Sequence, residues 1–176
     1  TGADRGIGLE FCRQLQARHD NVIAVCRQSS EELEALDVEI QSGIELTSEA
    51  SITALVQNLE GRLLDGVILN AGTLQSMDLN TLNAEGIRYQ FEVNALAPLL
   101  LTQALIGQMP CGAKLALITS RMGSIDDNTS GGSYGYRMSK VALNIAGRSL
   151  SIDLKPRGIA VAILHPGLVS TRMINF

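Results

Sequence analysis

The chain has 176 residues, of which 45% are hydrophobic and 18% charged, and its formal net charge is −4. That length holds one well-buried core rather than two ordinary domains, and the apolar content excludes a disordered chain. The acidic balance, with a pI near 5.1, offers no bulk attraction to nucleic acid or to an anionic membrane, so a small-molecule site is the expected kind of partner.

Gly2, Gly6 and Gly8 open the chain in Thr-Gly-Ala-Asp-Arg-Gly-Ile-Gly, and Ile7, Phe11 and Leu15 follow at helical spacing to about Arg18. Residues 21–26 carry the β-branched run Val-Ile-Ala-Val of a buried parallel strand. A short helix is expected over 31–36, a weak strand over 42–46, and an amphipathic helix over 48–59 with Ser48 as its cap. Residues 65–69 form a compact apolar strand ended by Asn70-Ala71-Gly72. A long helix is predicted over 83–108, bent by Pro98. The remainder reads as a strand over 114–119, a polar glycine-rich loop, a helix over 134–154 and a strand over 159–164 closed by His165-Pro166-Gly167.

Strand and helix alternate without repeat or linker, which implies a parallel sheet covered on both faces. The fold expected is therefore α/β, a Rossmann-like doubly wound parallel sheet in one domain spanning residues 1–176. Such a fold puts a strand before its glycine-rich turn, yet none precedes Thr1, and no closing strand follows residue 164. The expected sheet lacks its first and C-terminal strands, as in a domain trimmed at both ends. Cys12, Cys26 and Cys111 are odd in number and lack metal-ligand spacing, so free thiols, no metal site and a cytoplasmic location are expected. No apolar run reaches membrane length, since the candidate around 96–105 carries Pro98, Thr102 and Gln103.

The glycine turn feeds a helix whose N-terminal amides can meet a pyrophosphate, although its spacing departs from G-x-G-x-x-G. A protein preferring NAD(H) would carry an acid at the end of the next strand to hold the ribose 2′-hydroxyl. Here that position is Arg27, and Arg5 adds a second cation inside the turn. Two guanidinium groups suit a 2′-phosphate, so NADP(H) is expected in preference to NAD(H). Tyr136 and Lys140, in Tyr-Arg-Met-Ser-Lys, fall on one helical face. A free tyrosine with pKa about 10 is a poor acid or base near neutrality, and a neighbouring cation would lower that pKa. A solvated Tyr and Lys at that spacing would look the same, so the pair needs its context.

That context is an ordered set: the glycine turn, Asn70-Ala71-Gly72, Asn94, Ser120, Tyr136 with Lys140, and Pro166-Gly167-Leu168-Val169-Ser170-Thr171. Covering nearly the whole chain, it resembles the short-chain dehydrogenase/reductase family, and residues 118–144 look most like the carbonyl reductases of the C-factor and Sniffer type. The resemblance implies an NADP(H)-dependent oxidoreductase interconverting a carbonyl and an alcohol. Tyr136 would be the general acid or base, Lys140 would lower its pKa and hold the nicotinamide ribose, Ser120 would hydrogen-bond the substrate oxygen, and Asn94 would hold a water of the proton relay. Gly2, Arg5, Gly6, Ile7, Gly8 and Arg27 would form the dinucleotide end of the cofactor site. Leu46 would line its adenine pocket, Asn70, Ala71 and Gly72 would pack near the adenine ribose, and Pro166, Gly167, Val169 and Thr171 would flank the carboxamide.

Ser120 lies sixteen residues before Tyr136, further than is usual in that family, and leaves Ser124 as a rival. Ser120 is preferred because it ends an apolar strand, where α/β sheets place ligands. A different class of function, a cofactor-binding signalling or regulatory protein with little turnover, would need only the glycine turn and Arg27. Sugar-nucleotide epimerase or dehydratase chemistry also uses a Tyr and Lys pair, but the Gly2-to-Gly6 spacing and the small size count against it. The helices bearing Asn94 and Tyr136 either cover the sheet or offer a face for a homodimer or homotetramer.

Overall fold

The computed structural model describes residues 1–171 and residue 173. β1 (Ile23–Val25) pairs in parallel with β2 (Glu39–Gln41), and β3 (Gly66–Leu69), β4 (Lys114–Ile118) and β5 (Ala160–Leu164) form a second parallel sheet in that order. The two sheets meet across Thr1–Ala3. The Ala3 N–H donates to the Val25 carbonyl at 3.3 Å, and the Thr1 amino group donates to the Ile68 carbonyl at 2.8 Å. The lateral order is thus β2-β1-β3-β4-β5, and among the described residues no strand lies between β1 and β3. This is the Rossmann-like parallel arrangement without its first strand.

Six α-helices alternate with these strands: α1 (Gly6–Ala17), α2 (Glu31–Glu34), α3 (Glu49–Asn58), α4 (Ala84–Phe91), α5 (Ala97–Leu105) and α6 (Tyr134–Asp153). Leu115 and Leu117 of β4 are buried among Leu55 of α3, Leu101 of α5 and Leu143 of α6. Each such leucine contributes roughly 2 kcal/mol by leaving water. Serine and asparagine set the helix starts, because their side-chain oxygens accept N–H groups that have no intrahelical partner. Ser30 accepts from Leu33 at 3.2 Å, Ser48 from Ser51 at 3.3 Å, and Asn83 from Glu85 and Gly86 at 3.0 and 3.3 Å.

Two expectations are corrected. The strand expected over 42–46 lies instead at Glu39–Gln41, where Val38 and Ile40 pack against the buried cluster of Leu33 and Cys26. Gly43, at φ 76°, then turns the chain, and Ile44 fills the core from a loop. The long helix does not owe its irregularity to a kink at Pro98. Its break is a π-turn at Glu92–Leu96, marked by the Ala97 N–H donating to the Glu92 carbonyl five residues back. Pro98 sits in the first turn of α5, where its missing N–H is least disruptive. The helix surface is divided in use: Leu101 and Leu105 are buried, whereas Tyr89, Phe91, Leu99 and Leu100 remain exposed.

Glycines set two close approaches. At Gly147 a Cβ would come within 2.7 Å of Leu117 and 2.9 Å of Ile163, so glycine there seats α6 directly on β4 and β5. At Gly8 a Cβ would overlap the Gly2 carbonyl and stand 2.7 Å from the Asn70 amide nitrogen. Gly8→Ala is expected to lower stability by about 1–3 kcal/mol in urea unfolding. Gly66→Ala, where a Cβ meets nothing within 4 Å, should be close to neutral; equal losses in both would refute the steric account.

Candidate active site

The glycine turn is fastened to the end of β3. Thr1 Oγ1 accepts from the N–H groups of Asn70 and Ala71, both at 3.1 Å, and Asn70 Nδ2 donates to the carbonyls of Thr1 and Gly2 at 3.0 and 3.3 Å. Gly2 and Gly6 have φ of 63° and 54°, a region that disfavours any residue with a Cβ. α1 begins at Gly6 after Arg5, with no side chain capping its first amides. A tight glycine turn leading into free helical amides is a cradle suited to a dinucleotide pyrophosphate.

Arg5 and Arg27 are largely exposed beside this turn, Arg5 within 3.4 Å of Asp4 and Arg27 within 3.6 Å of Glu45. Gly6 and Ile7 share a cleft of about 400 Å³ with Pro166, Val169 and Thr171, and a Cβ on Gly6 would touch Thr171 at 3.3 Å. Leu46 lines a different groove, with Ile52 of α3 and Ala97 and Leu100 of α5, and Gly167 is an exposed left-handed residue with nothing within 4 Å of its would-be Cβ.

The residues expected to handle the proton converge at the carboxyl ends of β3 and β4. Tyr136 and Lys140, one turn apart on α6, are 8% and 4% exposed. Lys140 Nζ donates to the Ile118 carbonyl at 2.9 Å and lies 5.7 Å from the centre of the Tyr136 ring. Ser120 follows Thr119 just beyond β4, and its hydroxyl is near enough to that of Tyr136 to act on the pKa of the phenol. Both candidate serines also accept a local N–H, Ser120 from Met122 at 3.1 Å and Ser124 from Asp127 at 3.2 Å.

The pKa values depart from the expectation that Lys140 lowers that of Tyr136. Burial pushes the phenol above its usual value, and the Ser120 hydrogen bond opposes this only in part. Burial also brings the Lys140 ammonium down, to about 8, because a low-dielectric site disfavours whichever form is charged. Near neutral pH the pair is therefore a protonated phenol above a still-charged ammonium.

Asn94 is fully buried within the π-turn. Its amide donates to the Thr73 carbonyl at 2.8 Å and to Ser139 Oγ at 2.9 Å, and its carbonyl oxygen accepts from the Thr73 N–H at 2.8 Å. Ser139 in turn donates to the Tyr136 carbonyl at 2.8 Å. Gly72 sits beside both Asn94 and Lys140; a Cβ there would lie 3.2 Å from Asn94 Oδ1 and 3.7 Å from Lys140 Nζ. The Asn70-Ala71-Gly72 segment therefore connects the glycine turn to Asn94 and Lys140.

Several supporting residues escape the sequence reading. Gln90, fully buried, accepts from the Gln75 N–H at 2.9 Å, so that Gln90 and Asn94, one helical turn apart, hold the same loop. Asn144 accepts from Thr119 Oγ1 at 2.6 Å and donates to the Gly123 carbonyl at 3.1 Å, clamping the Ser120 turn onto α6. Their offsets of four from Asn94 and Lys140 were the available signal. Among the described residues there is no metal-binding cluster of His, Cys, Asp and Glu, and no helix is long and apolar enough to cross a membrane.

Comparison with known proteins places the chain in a family. The 1-hydroxy-2-glutathionyl-2-methyl-3-butene dehydrogenase of Rhodococcus sp. (strain AD45) is 41% identical over 173 residues, covering 97% of this chain and 76% of that protein. C-signal of Myxococcus xanthus is 53% identical over 85 residues, covering 47% of this chain and 51% of that protein. The NADPH-bound carbonyl reductase from chicken fatty liver superposes with a TM-score of 0.88 at 32% identity, over 98% of this chain and 79% of that one. The carbonyl reductase Sniffer of D. melanogaster gives 0.89 at 30% identity, over 98% and 80%. With the short chain dehydrogenase family profile matching all of residues 1–176, the chain belongs to that family of oxidoreductases.

Proposed function

We propose that the protein is an NADP(H)-dependent oxidoreductase that interconverts a carbonyl and an alcohol, with Tyr136 as its general acid and base. The observation carrying this reading is the meeting of Ser120, Tyr136 and Lys140 at the end of β4. A carbonyl oxygen placed against Ser120 and Tyr136 would receive two hydrogen bonds, which strengthen as negative charge develops on it. Tyr136 would then transfer its proton to that oxygen, and the Lys140 ammonium would stabilise the phenolate left behind. A phenol whose pKa is raised by burial keeps its proton near neutrality, which suits it to the reducing direction.

NADP(H) would supply the hydride, leaving orientation and the proton to the protein. Thr1–Gly8 with Asn70 would hold its pyrophosphate, Arg5 and Arg27 its 2′-phosphate. This assignment is supported by the two guanidinium groups beside the glycine turn and by the NADPH carried by a structural relative. Because Glu45 partly neutralises Arg27, Glu45→Gln is expected to tighten NADPH binding by a few-fold without changing NADH affinity; fluorescence titration with both cofactors tests this. Pro98 lacks the N–H that would ordinarily meet the Asn94 backbone carbonyl. With the Asn94 side chain fully engaged, that carbonyl is the atom suited to hold a relay water.

The direct test is NADPH oxidation with a panel of aldehydes and ketones, with the alcohol product identified. A second reading, a cofactor-binding signalling protein with little turnover, draws on the similarity to C-signal over part of the chain. Binding of NADPH with no carbonyl reduced across the panel would favour it.

A further inference from the structure

Tyr136 is the third residue of α6, so its position depends on how that helix begins. The beginning is unusual. Gly131, Gly132 and Ser133 are left-handed in succession, at φ of 64°, 62° and 48°, and serine adopts that region at some strain. Ser133 is also the cap position and makes no side-chain cap bond, which leaves the first turn of α6 without the usual brace against fraying.

Arg137 supplies a brace from inside the helix. Its Nη2 donates to Ser130 Oγ at 2.9 Å and approaches the Gly131 carbonyl at 3.4 Å. Its Nε and Nη1 are buried without an acceptor among the described residues, so this guanidinium is held against the loop rather than projecting into solvent. The Ser133 N–H donates to the Met77 carbonyl at 2.7 Å. The same turn is thereby joined to the loop whose Thr73 and Gln75 are held by Asn94 and Gln90.

We propose that Arg137 is a positioning residue, whose guanidinium fixes the left-handed 131–133 turn and so sets the aim of Tyr136. A planar fork can grip a hydroxyl and a carbonyl together, which a lysine does less well. The inference rests on Tyr136 being the proton donor, and its test separates the two. NADPH-driven reduction of 4-nitrobenzaldehyde should be measured in the full protein, in Arg137→Ala, in Arg137→Lys and in Tyr136→Phe, with hydrogen exchange followed along α6.

Arg137→Ala is expected to lower kcat by about tenfold or more, since small misplacements of a reacting group are costly. NADPH affinity should stay within about twofold. Exchange should quicken at residues 134–137 but not at 141–150, and Arg137→Lys should recover part of the rate. An unchanged kcat, or NADPH affinity falling in parallel with faster exchange throughout α6, would overturn the positioning role. If Tyr136→Phe turns over like the unsubstituted protein, the underlying assignment of Tyr136 fails instead; a loss in Tyr136→Phe with none in Arg137→Ala removes this inference alone.

Discussion

Tyr136→Phe is expected to reduce carbonyl turnover by about 10²- to 10⁴-fold, the usual contribution of a positioned general acid, while the protein still folds and binds NADPH. The ring stays in place against Lys140; only the hydroxyl and its contact with Ser120 are lost. One such hydrogen bond contributes about 1 kcal/mol, so the unfolding midpoint should move little. Stopped-flow NADPH oxidation with intact binding by fluorescence is the measurement, and turnover within tenfold of the unsubstituted protein would exclude Tyr136 as the acid. The pH profile offers a second check. With the Lys140 pKa near 8 and that of Tyr136 raised, reduction should decline above about pH 8 as the ammonium is lost, before the phenol itself titrates.

Lys140→Met should have the opposite signature, a more stable protein that has lost most of its activity. Burial lowers the Lys140 pKa from 10.5 to about 8, so folding at neutral pH carries a penalty of about 3 kcal/mol for keeping the ammonium charged. The penalty is complete below pH 8, where both folded and unfolded chains are protonated. Between pH 8 and 10.5 the unfolded chain binds more protons than the folded one, so the stability of the unsubstituted protein rises with pH. Methionine removes the charge at similar volume, at the loss of the bond to the Ile118 carbonyl. The variant should therefore be more stable at pH 7 by about 1–3 kcal/mol, with that advantage shrinking by up to about 1.4 kcal/mol per pH unit above 8. Urea unfolding from pH 7 to 9.5 would show it; a pH-independent difference, or a variant less stable at pH 7, would refute the burial penalty. Such a gain in stability with a loss of function marks a residue retained for chemistry.

The parts of the fold legible in the sequence were those with a strong local signal. The β-branched run of β1, the apolar core of β4 and the serine before α3 each act within a few residues. The bounds of β2 are not legible because Ile44 is as apolar as Ile40, and only the pairing with β1 and the left-handed Gly43 decide which belongs to the strand. At the site, the Tyr136 and Lys140 spacing gave their shared helical face but not the direction of their pKa shifts, since the depth of burial is a tertiary property. Asn144, Gln90 and Arg137 carry no motif. Their roles come from loops that return to α4 and α6 from distant parts of the chain.

The π-turn at Glu92–Leu96 places a constraint on chain length as well as on residue type. One extra residue is accommodated between α4 and α5, so the faces of the two helices are out of phase by about 100°. Deleting a single residue there would restore an unbroken helix and swing Asn94 away from Thr73 and Ser139, although every side chain of the site were kept. Substitution and deletion at this turn therefore test different things: the first asks which group is presented, the second where it is aimed.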